Sequence, residues 1–164
     1  MRFFIIFFIS VLITSVGAKQ QKPCTAPEAR QFDFWIGEWI ATWSDTAYGT
    51  NSISKILGGC VISEQFNGSP ASPLVGRSFS VYNSRTGNWQ QTWVDNQGAY
   101  LEFSGGWQDN KMILSREVNL NGKNIIQRMI WYNINKNEFD WDWQRSDDNG
   151  NTWKTNWQIH YRRK

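Results

Sequence analysis

FDFWIGEWIATW, residues 32–43, places Trp35, Trp39 and Trp43 four residues apart. A spacing of four keeps side chains on one face of a helix. Being a multiple of two, it also keeps them on one face of a strand. The flanking residues decide between the two. Upstream, CTAPEARQF (24–32) carries the signs of a helix start: Thr25 suits an N-cap, Pro27 suits the first turn, and Glu28 stands three residues after Thr25. Gly37 then interrupts the pattern. A short helix is therefore expected to end near Phe34 or Trp35, with the first strand opening at Gly37 and carrying Trp39 and Trp43 on one face.

Beyond residue 37 the chain reads as strands. Short runs rich in Trp, Tyr, Phe, Val and Ile alternate with turn signals: Asn67-Gly68, Thr86-Gly87, Gln97-Gly98, Asp109-Asn110, Asn121-Gly122 and Asn149-Gly150. The expected strands are 37–46, 49–57, 60–66, 76–83, 88–95, 99–106, 111–118, 124–133, 138–145 and 152–162. Most connections are short enough for hairpins, so the sheet is expected to be antiparallel and to meander. The longest, NGSPASPLVG (67–76), contains Pro70 and Pro73 and is the candidate for a loop at an open end. About ten hairpin-linked strands in one domain must deal with two free edges, and closing into an up-and-down barrel removes both. A barrel of that size leaves room inside for a small ligand.

The chain opens MRFFIIFFISVLITSVGAKQQ: one early arginine, an apolar run from Phe3 to Ile13 broken only by Ser10, then small residues. That order is the pattern of a secretory signal, cleaved after Ala18, which divides the chain into a signal at 1–18 and one domain at 19–164. The run is short for a membrane span, and no second one follows. Cys24 follows Gln21, Lys22 and Pro23, not the small apolar residues that precede a lipid-anchored cysteine. The expected location is periplasmic or extracellular, with no membrane attachment after cleavage. Formal charge is +3, of which Arg2 contributes one unit, and the basic residues are scattered apart from the terminal YRRK. Nothing in this resembles a nucleic-acid footprint. Cys24 and Cys60 are the two cysteines. In an exported chain such a pair most often forms one disulfide, the alternative being two unpaired thiols.

Several features resemble the calycins: lipocalins, fatty-acid-binding proteins and nitrobindin-like barrels. A short helical plug followed by Gly37-Glu38-Trp39 matches the Gly-x-Trp that opens the first lipocalin strand. The resemblance implies that Trp39 closes the barrel base under a late arginine, here Arg162 or Arg163. More of the chain, through FDFWIGEW, GGCVISEQF, GRSFSVYN, WQQTWVDNQGAYLEFSGG, RMIW and SDDNGNTW…YRRK, is similar to a family of secreted bacterial proteins in the lipocalin-like group. That similarity implies a calycin-like barrel and no particular reaction or ligand. Within it, Glu64, Ser78, Tyr82, Gln91, Trp93, Asp95, Gly98, Arg128 and Trp131 occupy positions the family tends to keep, and Cys24 and Cys60 match a frequent pair.

From the residues, Glu64 shares a strand face with Ile62 and Phe66, and Gln91 and Asp95 share one with Trp89 and Trp93. Polar groups set among apolar walls suit a ligand cavity. Alternation alone equally allows those faces to point outward. Arg128 stands with Ile126, Ile130 and Tyr132, either as a cavity counter-ion or as an exposed strand residue. Tyr82 completes the candidate ligand-binding set of Glu64, Tyr82, Gln91, Trp93, Asp95 and Arg128, although Ser78 and Ser80 on its face also fit an outer surface. Phe139, Trp141 and Trp143 alternate with Asp140 and Asp142, as in a half-buried strand.

SDDNGNTW (146–153) fits the Asp-box pattern of sialidases, read here as a hairpin turn anchored by Trp153. His160 is the only histidine and shares its face with Lys154, Asn156 and Gln158, which points to a surface position. A Ser-His-Asp triad, a multi-histidine zinc site or a haem ligand is therefore not expected, nor is any other cofactor or metal. Three functions follow. The first is binding of a small, partly apolar molecule inside the barrel. The second is hydrolysis or isomerisation by carboxylates drawn from Glu64, Asp95, Glu102 and Glu117. The third is an interaction module with an outer aromatic face.

Overall fold

The computed structural model describes residues 24–164. The expected export signal lies outside the described residues. Ten strands form: β1 (Gly37–Thr42), β2 (Tyr48–Ile56), β3 (Val61–Asn67), β4 (Val75–Asn83), β5 (Asn88–Asp95), β6 (Tyr100–Gln108), β7 (Lys111–Leu120), β8 (Lys123–Tyr132), β9 (Glu138–Ser146) and β10 (Lys154–Arg163). Each pairs antiparallel with its neighbour in sequence, and β1 pairs with β10, so the sheet closes into an up-and-down barrel with no free edge. Among the described residues no helix is long and apolar enough to cross a membrane.

Turn chemistry produces this meander. Asp109-Asn110 and Asn121-Gly122 have positive φ at both residues, and each forms the two-residue link between neighbouring strands. That is the backbone signature of the type I′ turn, whose twist matches that of a hairpin. The Asp-box segment is a turn, as its sequence suggests. Asp148 accepts from Ser146 Oγ at 2.7 Å, Thr152 N at 2.9 Å and Thr152 Oγ1 at 2.6 Å. Hydrogen bonds from Thr152 and Ser146 hold the Asp148 carboxyl down at about 2. Trp153 Nε1 donates to Gly150 O at 3.0 Å.

The expected short helix before β1 forms as two 3-10 turns, Pro27–Arg30 and Asp33–Trp35, the first with Ala26 rather than Thr25 at its N-cap. So short a segment gains little from helix propagation. Tertiary burial sets its shape: Phe32 and Trp35 are almost fully buried in one end of the barrel. The Phe32 ring meets Trp89 at 4.9 Å and Trp131 at 5.2 Å, both edge to face. Trp89 Nε1 donates to Gln31 Oε1 at 3.1 Å, and Lys55 and Arg30 both pair with Asp33. The segment is a plug, and Cys24 at its start is bonded to Cys60 in the β2–β3 connection, with Cα atoms 5.1 Å apart.

The three tryptophans of the opening stretch divide the barrel's length between them. Trp35 belongs to the plug. Trp39, on β1, is fully buried at the closed end, directly opposite Arg163 on β10. Trp43 follows β1 at the other end, 5.4 Å from Trp157. Of the two arginines suggested for Trp39, Arg163 is the one that stacks, with its guanidinium carbon 4.1 Å from the ring centroid. Its nitrogens also donate to the carbonyls of Ile36 and Lys136, at 2.9 and 3.0 Å.

Candidate functional site

Alternation along the strands gives the barrel its inside. Trp39 and Ala41 on β1, Asn51 and Ile53 on β2, Ile62, Glu64 and Phe66 on β3, and Trp89 and Gln91 on β5 are all buried. Their sequence neighbours on these strands point outward and are half-buried or exposed. Toward the end opposite the plug the interior stays open as a cavity of about 230 Å³. An apolar cavity of roughly 150 Å³ already holds benzene, so this one has room for a substituted ring.

The wall is mostly aromatic. Trp35 and Trp131 stand at its deep end, and Trp93, Trp141, Trp143 and Trp157 stand around it with Phe66 and Phe103. Leu74, from the 68–74 connection, also lines it, so the long connection singled out from its prolines does sit at the open end. Trp93 lies across β4 because residue 76 is glycine: a Cβ there would come within 2.0 Å of the indole.

One carboxylate interrupts this wall. Glu64 is 7% exposed. Its Oε1 accepts from Asn51 Nδ2 at 2.7 Å and its Oε2 from Ser78 Oγ at 2.5 Å. Asn51 Nδ2 also donates to the Tyr161 hydroxyl at 3.4 Å, and Tyr161 lines the cavity too. Burial pushes the Glu64 carboxyl up from 4.5 to about 6, against the lowering effect of the Ser78 and Asn51 hydrogen bonds. Burial, reinforced by the neighbouring Glu64 charge, pushes the Tyr161 phenol up as well.

The raised Glu64 value has a consequence for stability. The folded carboxyl binds its proton more tightly than the unfolded one. Its contribution is therefore fully present below pH 4.5 and is lost as pH rises through about 6. The size is about 2 kcal/mol. Glu64→Gln cannot ionise, so relative to the parent it should gain about that much between pH 4 and pH 8. Urea unfolding of both proteins at the two pH values measures this. A variant-to-parent difference that does not move with pH would contradict the burial of a titrating carboxyl.

The candidate residues from the sequence fall into three groups. Glu64 and Trp93 line the cavity. Gln91 and Tyr82 share the inner face without lining it. Gln91 is buried and donates to Ser80 Oγ at 2.9 Å, while Tyr82 packs 5.8 Å from Trp89. The face carrying Ser78, Ser80 and Tyr82 thus points inward, its serines occupied by Glu64 and Gln91. Asp95 and Arg128 do not line the cavity. Asp95 ends β5, accepts from Trp93 Nε1 at 3.0 Å and takes the backbone N–H groups of Gln97 and Ala99. Desolvation tends to raise the Asp95 carboxyl, but the bonds from Trp93, Ala99 and Gln97 outweigh it and hold the carboxyl below its ordinary value. Asp95 therefore fixes the orientation of a wall residue.

Arg128 lies on the outer face, since Met129 and Trp131 beside it point inward. Its guanidinium carbon sits 3.6 Å from the Trp153 ring centroid, and its Nε donates to Gln144 at 2.8 Å. The partner that a cation among apolar neighbours needs is the Asp-box tryptophan. Glu102 and Glu117 are exposed. His160 is also on the outside, with Nδ1 2.8 Å from Asp140 Oδ1. A register shift between Thr155 and Trp157 breaks the continuous polar face expected for β10, so Thr155 rather than Asn156 pairs with Gln144.

Sequence reasoning missed Asn51, Ser78 and Tyr161 as a group. Asn51 lies between Thr50 and Ser52, and no polar pattern there distinguishes inward from outward. Outside the barrel, Val75, Phe79, Val81, Val94 and Tyr100 form an exposed apolar area on β4–β6. No protein-family model matches the chain, and no curated protein matches it in sequence.

Proposed function

We propose that this is an exported binding protein that holds one small, partly apolar molecule inside its barrel. The observation that carries this reading is the open-ended, tryptophan-rich cavity with Glu64 set in its wall. Such an arrangement, mostly apolar with a few placed polar groups, is the usual form of a small-molecule site. The Arg163–Trp39 stack matches the base closure implied by the likeness to lipocalin-like barrels. The disulfide suits an oxidising compartment, periplasmic or extracellular. In this reading Glu64 and Trp93 touch the ligand, Asp95 positions Trp93, and Gln91 and Tyr82 support the inner face beneath the site.

Two measurements test it. Native mass spectrometry of protein purified from its own host should find a low-mass species bound. After stripping, a neutral one-ring probe, 2-phenylethanol, should raise the melting temperature and change tryptophan emission. Leu101→Trp, which fills the cavity, should remove both effects while leaving the fold intact. Equal responses from parent and variant would place any binding elsewhere.

A second reading, proton transfer to or from a bound substrate by Glu64, is favoured by the carboxyl's raised value near 6. The paired-carboxylate version with Asp95 loses its basis, because Glu64 is the one carboxylate among the lining residues.

A further inference from the structure

The cavity's charge is one-sided. Among the described residues its lining includes Glu64 and no lysine, arginine or histidine. The groups that face Glu64 are Asn51 from β2, Ser78 from β4 and Tyr161 from β10. The first two are neutral donors and the third is a phenol that keeps its proton. Arg116 on β7 packs over Phe103, 5.8 Å from the ring centroid, and makes no ion pair with Glu64. A buried carboxylate without a cation is a costly arrangement in a protein interior. The cavity that it shares is lined by Trp35, Trp93, Trp131, Trp141, Trp143 and Trp157. Indole is the side chain whose face attracts a cation most strongly.

Resting on the small-ligand reading above, we propose that the cavity selects an organic cation: a protonated or methylated amine on a small apolar or aromatic body, its charge paired with Glu64 and its body set among the tryptophans. The ligand supplies the positive charge that the wall lacks. A ligand carboxylate would bring a second negative charge beside the first, so anionic lipids are disfavoured by the same arrangement. Between about pH 5 and 7 a proton and the ligand compete for Glu64, because burial pushes that carboxyl up to about 6. Amine affinity therefore falls as the solution is acidified, while the affinity of a neutral analogue does not.

Isothermal titration of the ligand-stripped full protein with three matched probes tests this: 2-phenylethylamine, 2-phenylethanol and 3-phenylpropionate. At about pH 7.5 the amine should bind about tenfold or more tighter than the alcohol, and the acid should bind more weakly than either. Glu64→Gln should bring the amine to the level of the alcohol. Unchanged alcohol binding by that variant reports that its cavity is intact. Amine affinity in the parent should fall to the level of the alcohol as the solution is acidified through the Glu64 value of about 6, with the alcohol flat. If the alcohol binds as tightly as the amine, or if Glu64→Gln keeps the amine preference, the cation assignment is overturned and the small-ligand reading stands. If none of the three binds at millimolar concentration, the small-ligand reading itself falls, and the assignment with it.

Discussion

Replacing Trp39 by alanine should lower the unfolding free energy by about 3–5 kcal/mol, the range for a fully buried tryptophan. The ring is 0% exposed and meets Phe139 edge to face at 4.8 Å. Its Nε1 donates to Trp35 O at 2.8 Å, so the truncation also takes a donor from the plug's last turn. The Arg163 guanidinium would lose the surface on which it lies, although its bonds to the Ile36 and Lys136 carbonyls remain. Gly37 belongs to the same device. Its φ of +140° suits glycine, and a Cβ there would come within 2.1 Å of Arg163 Nη1. Urea unfolding followed by far-UV circular dichroism measures the loss. A change under about 1 kcal/mol, typical of exposed sites, would mean that the barrel does not depend on this closure.

Breaking the Cys24–Cys60 bond should cost nearly as much. The cysteines are 36 residues apart in sequence. Loop-closure entropy for that separation gives about 3–4 kcal/mol in the unfolded-state model. The bond also holds the start of the plug against the β2–β3 connection, so its loss frees the segment that buries Phe32 and Trp35. The double variant Cys24→Ser/Cys60→Ser, and the parent under reducing agent, should show the same fall in denaturation midpoint. Near-UV circular dichroism should weaken as the plug's aromatic contacts loosen. Reduction that leaves the midpoint unchanged would sink the expectation.

The strand order was open to reading because its causes are local. The Asp109-Asn110 and Asn121-Gly122 pairs form tight hairpins where they stand, and a closed meander is the arrangement that leaves no edge of the resulting sheet unpaired. The first strand was likewise marked by Gly37, and the two cysteines left one pairing. The short helix before β1 was legible in its local signals, and its 3-10 form follows from burying Phe32 and Trp35 among Trp89 and Trp131.

For the site, period-two alternation separates the two faces of a strand and does not say which faces inward. Alternation left the faces of Glu64, Gln91 and Trp93 open between inside and outside; Glu64 and Gln91 are buried and Trp93 lines the cavity. On β8 both faces are partly covered: Met129 and Trp131 point inward, while Ile130 is also buried and Arg128 lies beneath Trp153 on the outside. The residue that decides the matter for Arg128 comes from the distant 147–153 turn. Asn51, Ser78 and Tyr161 were brought to Glu64 in the same way, from three different strands. The antiparallel barrel and the plug's place before the first strand were legible in the sequence because hairpin turns and glycine act within their own neighbourhoods, and the disulfide because two cysteines leave one pairing. Only the tertiary structure decided which polar groups share the cavity, because that depends on strand register and on which surfaces other segments cover.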